Sequence, residues 1–188
     1  MRIRTLQEMD LDAVRRFTDQ EIGTGYFSAE EVKDIFTRSQ QGGRMFSLVL
    51  VDPEERIQGI RITFPPGHWQ KGKGEGLTPE QWPHPVAETA YFQSVFIASQ
   101  LHGQGWGVRL SMEALRLLRQ AGAKGVVCHS WKESPHDSSS RYLKKLGFVL
   151  IKEYPGYWKN VPYDCSLCKK PPCECTAQEM YLNLERTA

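Results

Sequence analysis

Residues 97–107 read Ile97-Ala-Ser-Gln-Leu-His-Gly-Gln-Gly-Trp-Gly107, and this run decides the fold. Upstream, Thr89 to Ala98 is rich in β-branched and aromatic residues and reads as a strand. Downstream, Val108 to Ala121 has helical spacing. Val108, Met112, Leu115 and Leu118 form one stripe, Leu110, Ala114, Leu117 and Ala121 a second, and Arg109, Glu113, Arg116 and Gln120 a polar third. Two apolar stripes out of three describe a helix laid broadly on a sheet, with Gly122 as its stop. Gly103, Gly105 and Gly107 therefore stand where a strand passes into a helix. The first N–H groups of a helix lack intrahelical partners, and its dipole is positive there. Glycine lets a ligand approach that backbone closely, so such a corner binds phosphate. The glycine spacing alone also fits an ordinary turn; the helix behind it and a second signal further on favour the site.

Working outward, Gly125 to Ser130 is a short apolar strand with Cys128 as a core residue. A polar turn, Glu133 to Ser139, leads into a short helix, with Asp137 or Ser138 as N-cap and Gly147 as stop. Phe148 to Tyr154 reads as a strand, and Glu179 to Leu184 as the last one. Toward the N-terminus, Arg2 to Leu6 is a strand and Leu11 to Glu21 a helix. Ser28 with Glu31 is a capping box that starts a second helix through about Ser39. Gly42-Gly43 breaks the chain, and Phe46 to Val51 with Arg56 to Phe64 reads as a hairpin around Asp52. The long loop from Pro65 to Val86 carries His68, Trp69, Trp82 and His84. It is either a loose insertion or a flap over a pocket, with the tryptophans as apolar walls.

These residues resemble the GCN5-related N-acetyltransferase superfamily. That family's pyrophosphate loop follows Arg/Gln-x-x-Gly-x-Gly/Ala, and here stands His102-Gly-Gln-Gly-Trp-Gly107. Its later Tyr-x-x-Leu-Gly-Phe has its counterpart in Leu143-Lys-Lys-Leu-Gly-Phe148. The chain departs from the pattern at His102, at Leu143 in place of the tyrosine, and at His136 in place of an asparagine. The resemblance spans nearly the whole chain, with its specific motifs in 95–148. It implies one α/β domain over 1–188: a mixed, mostly antiparallel central sheet of about seven strands flanked by about four helices.

The reaction the resemblance implies is direct acetyl transfer from acetyl-CoA to an amine. His102, Gly103, Gln104, Gly105, Trp106, Gly107 and Val108 would cradle the pyrophosphate. Val95, Phe96 and Ile97 would pair with the pantetheine arm, and a backbone N–H on that strand would meet charge developing on the thioester carbonyl. The amine must lose a proton and the leaving thiolate must gain one. A base on the fourth strand in some relatives aligns with Tyr91, which strict alternation puts on one face with Gln93, Val95 and Ile97. Glu88 would act through a water chain, and Tyr142, adjacent to the missing tyrosine at 143, is the candidate acid. Packing or surface placement is the alternative for all three.

Four of the five cysteines fall in Cys165-x2-Cys168-x4-Cys173-x-Cys175, a cysteine-rich insertion at about 160–176. Four thiolates suit a structural Zn²⁺, with Lys169 and Lys170 offsetting its negative charge and Pro171 and Pro172 stiffening the connection. Free thiols and disulfides are the alternatives. The resemblance does not account for this knot.

A length of 188 residues suffices for one sizeable core. The net charge of +2, with both signs mixed, leaves no basic footprint for nucleic acid. No apolar run is long enough to cross a membrane, and the N-terminus carries no secretory pattern, so the expected location is cytoplasmic. The expected partners are acetyl-CoA and an amine acceptor of unspecified identity, and a homodimer stays open. A non-catalytic acetyl-CoA-binding module and a zinc-knot interaction protein are the competing readings.

Overall fold

The computed structural model of the chain describes residues 1–69, 76–161, 165, 167–169 and 172–185. Its elements in chain order are β1 (Arg2–Thr5), α1 (Leu11–Glu21), α2 (Ala29–Arg38), β2 (Gln40–Gln41), β3 (Arg44–Met45), β4 (Leu48–Val51), β5 (Ile57–Phe64), β6 (Thr89–Ile97), α3 (Trp106–Gln120), β7 (Gly125–Trp131), α4 (Ser138–Lys145), β8 (Val149–Tyr154) and β9 (Ala177–Asn183). Seven strands form one sheet in the order β1-β4-β5-β6-β7-β9-β8. Only β6 and β7 run parallel. This is the mixed, mostly antiparallel architecture that the sequence implies. β2 and β3 form a separate small hairpin whose two-residue tip is Gly42-Gly43. Both glycines have positive φ, +57° and +73°, which the tight hairpin turn requires.

Both faces of the sheet are covered, and period-two alternation sorts the strand residues between two cores. Val49 and Val51 of β4, with Ile60, Ile62 and Phe64 of β5, pack under Val14 and Phe17 of α1 and Val32 and Ile35 of α2. Leu48 and Leu50, with Ala90, Phe92 and Met180, pack under Leu110, Ala114, Leu115 and Leu118 of α3 and Leu143 of α4. Helix α2 starts with the expected capping box: Glu31 N–H donates to Ser28 Oγ at 3.1 Å and Ser28 N–H to Glu31 Oε2 at 2.8 Å. Asp137 is the N-cap residue of α4, as expected, but its side chain makes no capping bond to the helix backbone. Ser134 Oγ, not Asp137 or Ser138, accepts the first-turn N–H of Ser139 at 3.0 Å. Asp137 Oδ1 instead accepts from Ser140 Oγ at 2.7 Å.

The functional consequence of the topology lies at the parallel pair. β6 and β7 are in register only over Thr89–Phe92 and Gly125–Cys128. Gly125 is obligatory here, because a Cβ on it would stand 1.8 Å from the Tyr181 hydroxyl oxygen. Beyond Phe92 and Cys128 the strands part. β6 continues to Ile97 beside β5, and β7 continues to Trp131 beside β9. The gap between them opens the sheet from one face to the other.

A bulge sits where the gap begins. Ile62 pairs with Ser94 and Thr63 with Phe92, so Gln93 is an extra residue on β6. One inserted residue reverses the alternation beyond it. Tyr91 therefore packs with the α1/α2 core, whereas Ile97 packs with the α3 core. The expectation that Tyr91, Val95 and Ile97 share a face is overturned by this bulge.

Candidate active site

The gap between β6 and β7 is the mouth of a cleft of about 500 Å³ that passes through the sheet. On the α3 face it is lined by Arg61, Phe92, Cys128, Tyr142 and Leu143. On the α1/α2 face Tyr26, Tyr91, Phe96, His129 and Tyr157 line it. Val95 and His102 also line it, so the cleft runs toward the glycine corner.

That corner is built from backbone. Gly103 and Gly105 have φ of +77° and +79°, and Gly105 is the left-handed N-cap of α3. The helix starts at Trp106, two residues before the position the apolar stripe suggests, so the free N–H groups of its first turn belong to Trp106, Gly107 and Val108. His102 is exposed on this loop and lines the cleft. Its Nε2 lies 2.9 Å from the Ile97 carbonyl, to which it donates, tying the loop to the end of β6. Gly107 packs against that strand; a Cβ on it would lie 3.8 Å from both Ile97 and Val95. The edge of β6 from Val95 to Ile97 is free of β7 in this region.

The other face gathers titratable side chains around His129. Its Nε2 lies 3.1 Å from the Gly76 carbonyl oxygen, which can only accept, so Nε2 carries the proton. Nδ1 is then an unprotonated acceptor, and the hydroxyls of Tyr91 and Tyr157 both donate to it, at 3.0 and 3.2 Å. Burial lowers the His129 pKa to about 4, against a smaller opposing pull from Glu179. Burial likewise raises the phenols of Tyr91 and Tyr157, so all three groups are neutral near pH 7. The buried Glu179 carboxylate accepts from Thr78 N–H, Thr78 Oγ1, Trp82 Nε1 and Tyr154 Oη at 2.7–3.0 Å. Thr78 and Trp82 belong to the long loop, so Glu179 anchors that loop's second half to β9.

Trp69 and Trp82 therefore do not wall the pocket. Trp69 donates to the Thr89 carbonyl at 2.7 Å and stacks on Tyr91 with ring centroids 5.3 Å apart, inside the α1/α2 core. The loop acts from behind, presenting Gly76 O to His129; residues 70–75, with Gly72 and Gly74, lie outside the described residues.

Of the sequence-predicted side chains, Tyr91 and Tyr142 reach the cleft. Tyr142 lies beside Ser111 and Arg61, while Leu143, in the tyrosine's place, is in the core. Glu88 is not brought there. It sits before the paired start of β6, and its carboxylate is 3.0 Å from Lys124 Nζ. The five residues from Glu88 to the bulge at Gln93 span roughly 17 Å of strand, too far for a single bridging water. Arg61, His129 and Tyr157 are absent from the sequence-derived set. Only Arg61 left a trace, as the single charge inside the apolar run Ile57–Phe64.

The cysteines meet at the same end of the cleft. The sulfurs of Cys165, Cys168, Cys173 and Cys175 all lie within 4.8 Å of one another. Cys165–Cys175, Cys168–Cys175 and Cys168–Cys173 are separated by 3.7, 3.6 and 4.0 Å. Four sulfurs at the ordinary Zn–S distance form a tetrahedron with edges of about 3.8 Å, so the set fits a zinc ion. Lys170 and Pro171 lie outside the described residues. The knot packs on Trp131 and Trp158, and Cys165 and Trp158 themselves line the cleft. Tyr157 N–H donates to the Cys175 carbonyl at 3.2 Å, which links the knot to the phenol on His129.

No described helix is long and apolar enough to cross a membrane. No family model and no curated protein sequence matches the chain. Solved structures do. The ribosomal-protein-S18-alanine N-acetyltransferase from Escherichia coli superposes with a TM-score of 0.68 at 16% identity, covering 100% of this chain and 96% of that one. A GCN5-related N-acetyltransferase from Kribbella flavida gives 0.63 at 15% identity over 97% and 96% of the two chains. A chain of the NatC complex bound to Gag peptide and CoA gives 0.69 at 13% identity, with 97% of each chain covered. The chain thus has the fold of the GCN5-related N-acetyltransferases.

Proposed function

We propose that this protein is an N-acetyltransferase that moves an acetyl group from acetyl-CoA directly to an amine. The observation that carries the reading is the cleft through the split sheet, with a glycine-backed helix N-terminus at its donor end and neutral proton-transfer groups at its other end. The NatC structure, similar in fold, was solved with CoA and a peptide. In this reading the N–H groups of 103–108 hold the pyrophosphate. The free edge of Val95–Ile97 pairs with the pantetheine amides, and one of its N–H groups meets the thioester oxygen.

The amine then enters from the α1/α2 face. Its nitrogen attacks the thioester carbon, the C–N bond forms, the C–S bond breaks, and sulfur leaves as thiolate. The amine's proton passes to Tyr91 Oη as the Tyr91 proton moves to His129 Nδ1, the acceptor already aligned at 3.0 Å. Tyr142 stands on the donor face and protonates the thiolate. Tyr142→Phe lowers kcat by roughly tenfold with little change in acetyl-CoA affinity; an unchanged kcat removes Tyr142 from this role.

The four cysteines hold a structural zinc, with all four positions filled by sulfur and none open to water. Its task is to fix Tyr157 and the Trp158 wall of the acceptor side. The test of the whole reading is a thiol-release assay with acetyl-CoA against pooled small amines, amino acids and peptides, followed by mass spectrometry. A product heavier by one acetyl group is expected. Absence of acetyl-CoA binding by calorimetry overturns the reading.

A further inference from the structure

The donor half of the cleft holds a charge that nothing in the described protein balances. Arg61 stands on β5 among Ile60 and Ile62, but its side chain lies on the opposite, α3 face. It is 2% exposed, with its guanidinium carbon 3.4 Å from the Phe92 ring centroid. Its Nε and Nη2 are buried and have no hydrogen-bond partner among the described residues. The guanidinium donates a hydrogen bond to the Tyr142 hydroxyl, but Tyr142, Cys128 and Tyr91 are all kept neutral by burial, so none of them supplies a counter-charge. A buried cation without a counter-charge is costly, and such a group persists where an anion is supplied.

The two unpartnered nitrogens are adjacent. Nε and Nη2 form one edge of the guanidinium, two parallel N–H donors that match the two oxygens of a carboxylate. Arg61 lines the cleft on the face of the glycine corner, not on the Tyr91–His129 face, and its Nε–Nη2 edge is itself covered, so a ligand meets it only after the guanidinium shifts. The anion therefore arrives with the donor. Pantetheine is uncharged, and the pyrophosphate is held outside at the corner, which leaves the acyl chain as the bearer of the charge. We propose that the cleft takes acyl-CoA donors whose acyl chain ends in a carboxylate, of the malonyl or succinyl class, bound side-on by Nε and Nη2 of Arg61.

This deepens the acyl-CoA reading given above and rests on it. The transfer balances as before: the amine nitrogen gains the whole dicarboxylyl group and gives its proton to Tyr91 as the Tyr91 proton moves to His129, the C–S bond breaks, and the CoA thiolate takes its proton from Tyr142. The carboxylate stays ionised on Arg61 and takes no part in the chemistry.

The test is calorimetric binding of CoA, acetyl-CoA, butyryl-CoA, malonyl-CoA and succinyl-CoA to the full chain. Butyryl and succinyl share a chain length and differ in the terminal charge. Malonyl-CoA or succinyl-CoA is expected to bind about tenfold or more tighter than the neutral donors, the range of a charge-assisted hydrogen bond. Arg61→Met, which keeps the packing and removes the charge, is expected to erase that ratio. No preference in the wild type overturns the proposal, and so does a preference that survives Arg61→Met. A loss in Arg61→Met that falls equally on acetyl-CoA and succinyl-CoA also overturns it, since Arg61 would then serve the thioester common to both. Should the variant fail to fold, the butyryl–succinyl comparison in the wild type decides alone. Failure of CoA and all four thioesters to bind is a separate result, which removes the acyl-CoA reading itself.

Discussion

The two ends of the cleft are made of different material. The donor end is backbone: left-handed glycines, the first turn of α3 and the free edge of β6. The acceptor end is side chain: a neutral imidazole, two phenols and a wall of tryptophan and cysteine drawn from β6, β7 and the segment after β8. A backbone site suits a group that every reaction shares, in the proposed reading the pyrophosphate of CoA. A side-chain site sets which amine enters and how its proton leaves. The comparison teaches that damage to one end should spare the other, and each prediction below tries to break that independence.

The largest effect is expected at His129. His129→Gln keeps a donor for the Gly76 carbonyl but removes a base that can accept a proton from Tyr91. A fall in kcat of about a hundredfold or more follows if the relay operates. The acetyl-CoA dissociation constant should stay where it was, and a weakening of that constant by the same factor would show that the two ends are one site. A steady-state kcat within twofold of the wild type would take the proton path elsewhere.

The same residue gives the second prediction, on stability. A histidine has a pKa of 6.5 in the unfolded chain and about 4 here, because burial disfavours its charged form. Between those values the unfolded state binds more protons, so the stabilisation is complete above pH 6.5 and is lost as pH falls toward 4. The shift corresponds to at most about 3 kcal/mol. Thermal melting followed across this window should fall steeply in the wild type and stay flatter in His129→Gln. Of the groups facing His129, Tyr91, Tyr154 and Tyr157 are pushed upward, away from the window. Paired carboxylates such as Asp10 and Glu153 are pushed downward by their partners, Arg4 and Lys132. Parallel melting curves for the two proteins would mean that the histidine is charged in the fold.

The difference in material also explains what could be read from the chain. A backbone site is encoded by residue type at fixed spacing within a few positions, so Gly103, Gly105 and Gly107 announce the corner, and the helix behind them fixes its direction. Single strands were legible for the same local reason, alternation and turn residues, whereas their assembly into one mixed sheet of about seven was legible only through the resemblance. The cysteine set was legible because four of the five cysteines stand between 165 and 175, and the fold brings their sulfurs together. The acceptor end was not, because Tyr91, His129 and Tyr157 are 28 to 66 residues apart and none carries a local signature. Arg61 was hidden by ambiguity. A charge alternating with Ile60 and Ile62 looks like the wet face of a strand, and only the sheet order shows that α3 covers that face. The bulge at Gln93 defeated the alternation argument outright, since no residue around it departs from ordinary strand composition.

Removing the metal should act on one end only. Chelation, or Cys173→Ser, releases the wall that carries Trp158 and the Cys175 carbonyl that holds Tyr157. KM for the acceptor is expected to rise about tenfold, a loss near 1.4 kcal/mol. Acetyl-CoA affinity at the glycine corner should persist. Metal analysis of protein purified under reducing conditions should find one zinc per chain; a content near zero with four freely titrating thiols would refute the zinc.

The smallest effect is expected inside the donor end, between two of its glycines. Gly105 has a φ of +79° and open space around it, so a methyl group there meets no atom but forces a left-handed alanine. That costs about 1 kcal/mol, or a few degrees of melting temperature in a chain of this size. Where the chain instead relaxes out of the left-handed region to escape that cost, the N–H groups of the corner turn away from the pyrophosphate. Gly107 differs: its backbone is ordinary, and an added Cβ would rest at 3.8 Å from Ile97 and Val95, normal contact distance. Within α3, alanine at that position gains up to about 1 kcal/mol of helix propensity over glycine. Gly105→Ala should therefore lower the melting temperature and weaken acetyl-CoA together, whereas Gly107→Ala should hold or raise the melting temperature. In both variants the acid window set by His129 should be unchanged, because nothing at the corner touches that ring. Equal melting temperatures and equal acetyl-CoA affinities for the two variants would show that the left-handed turn at Gly105 does not build the corner.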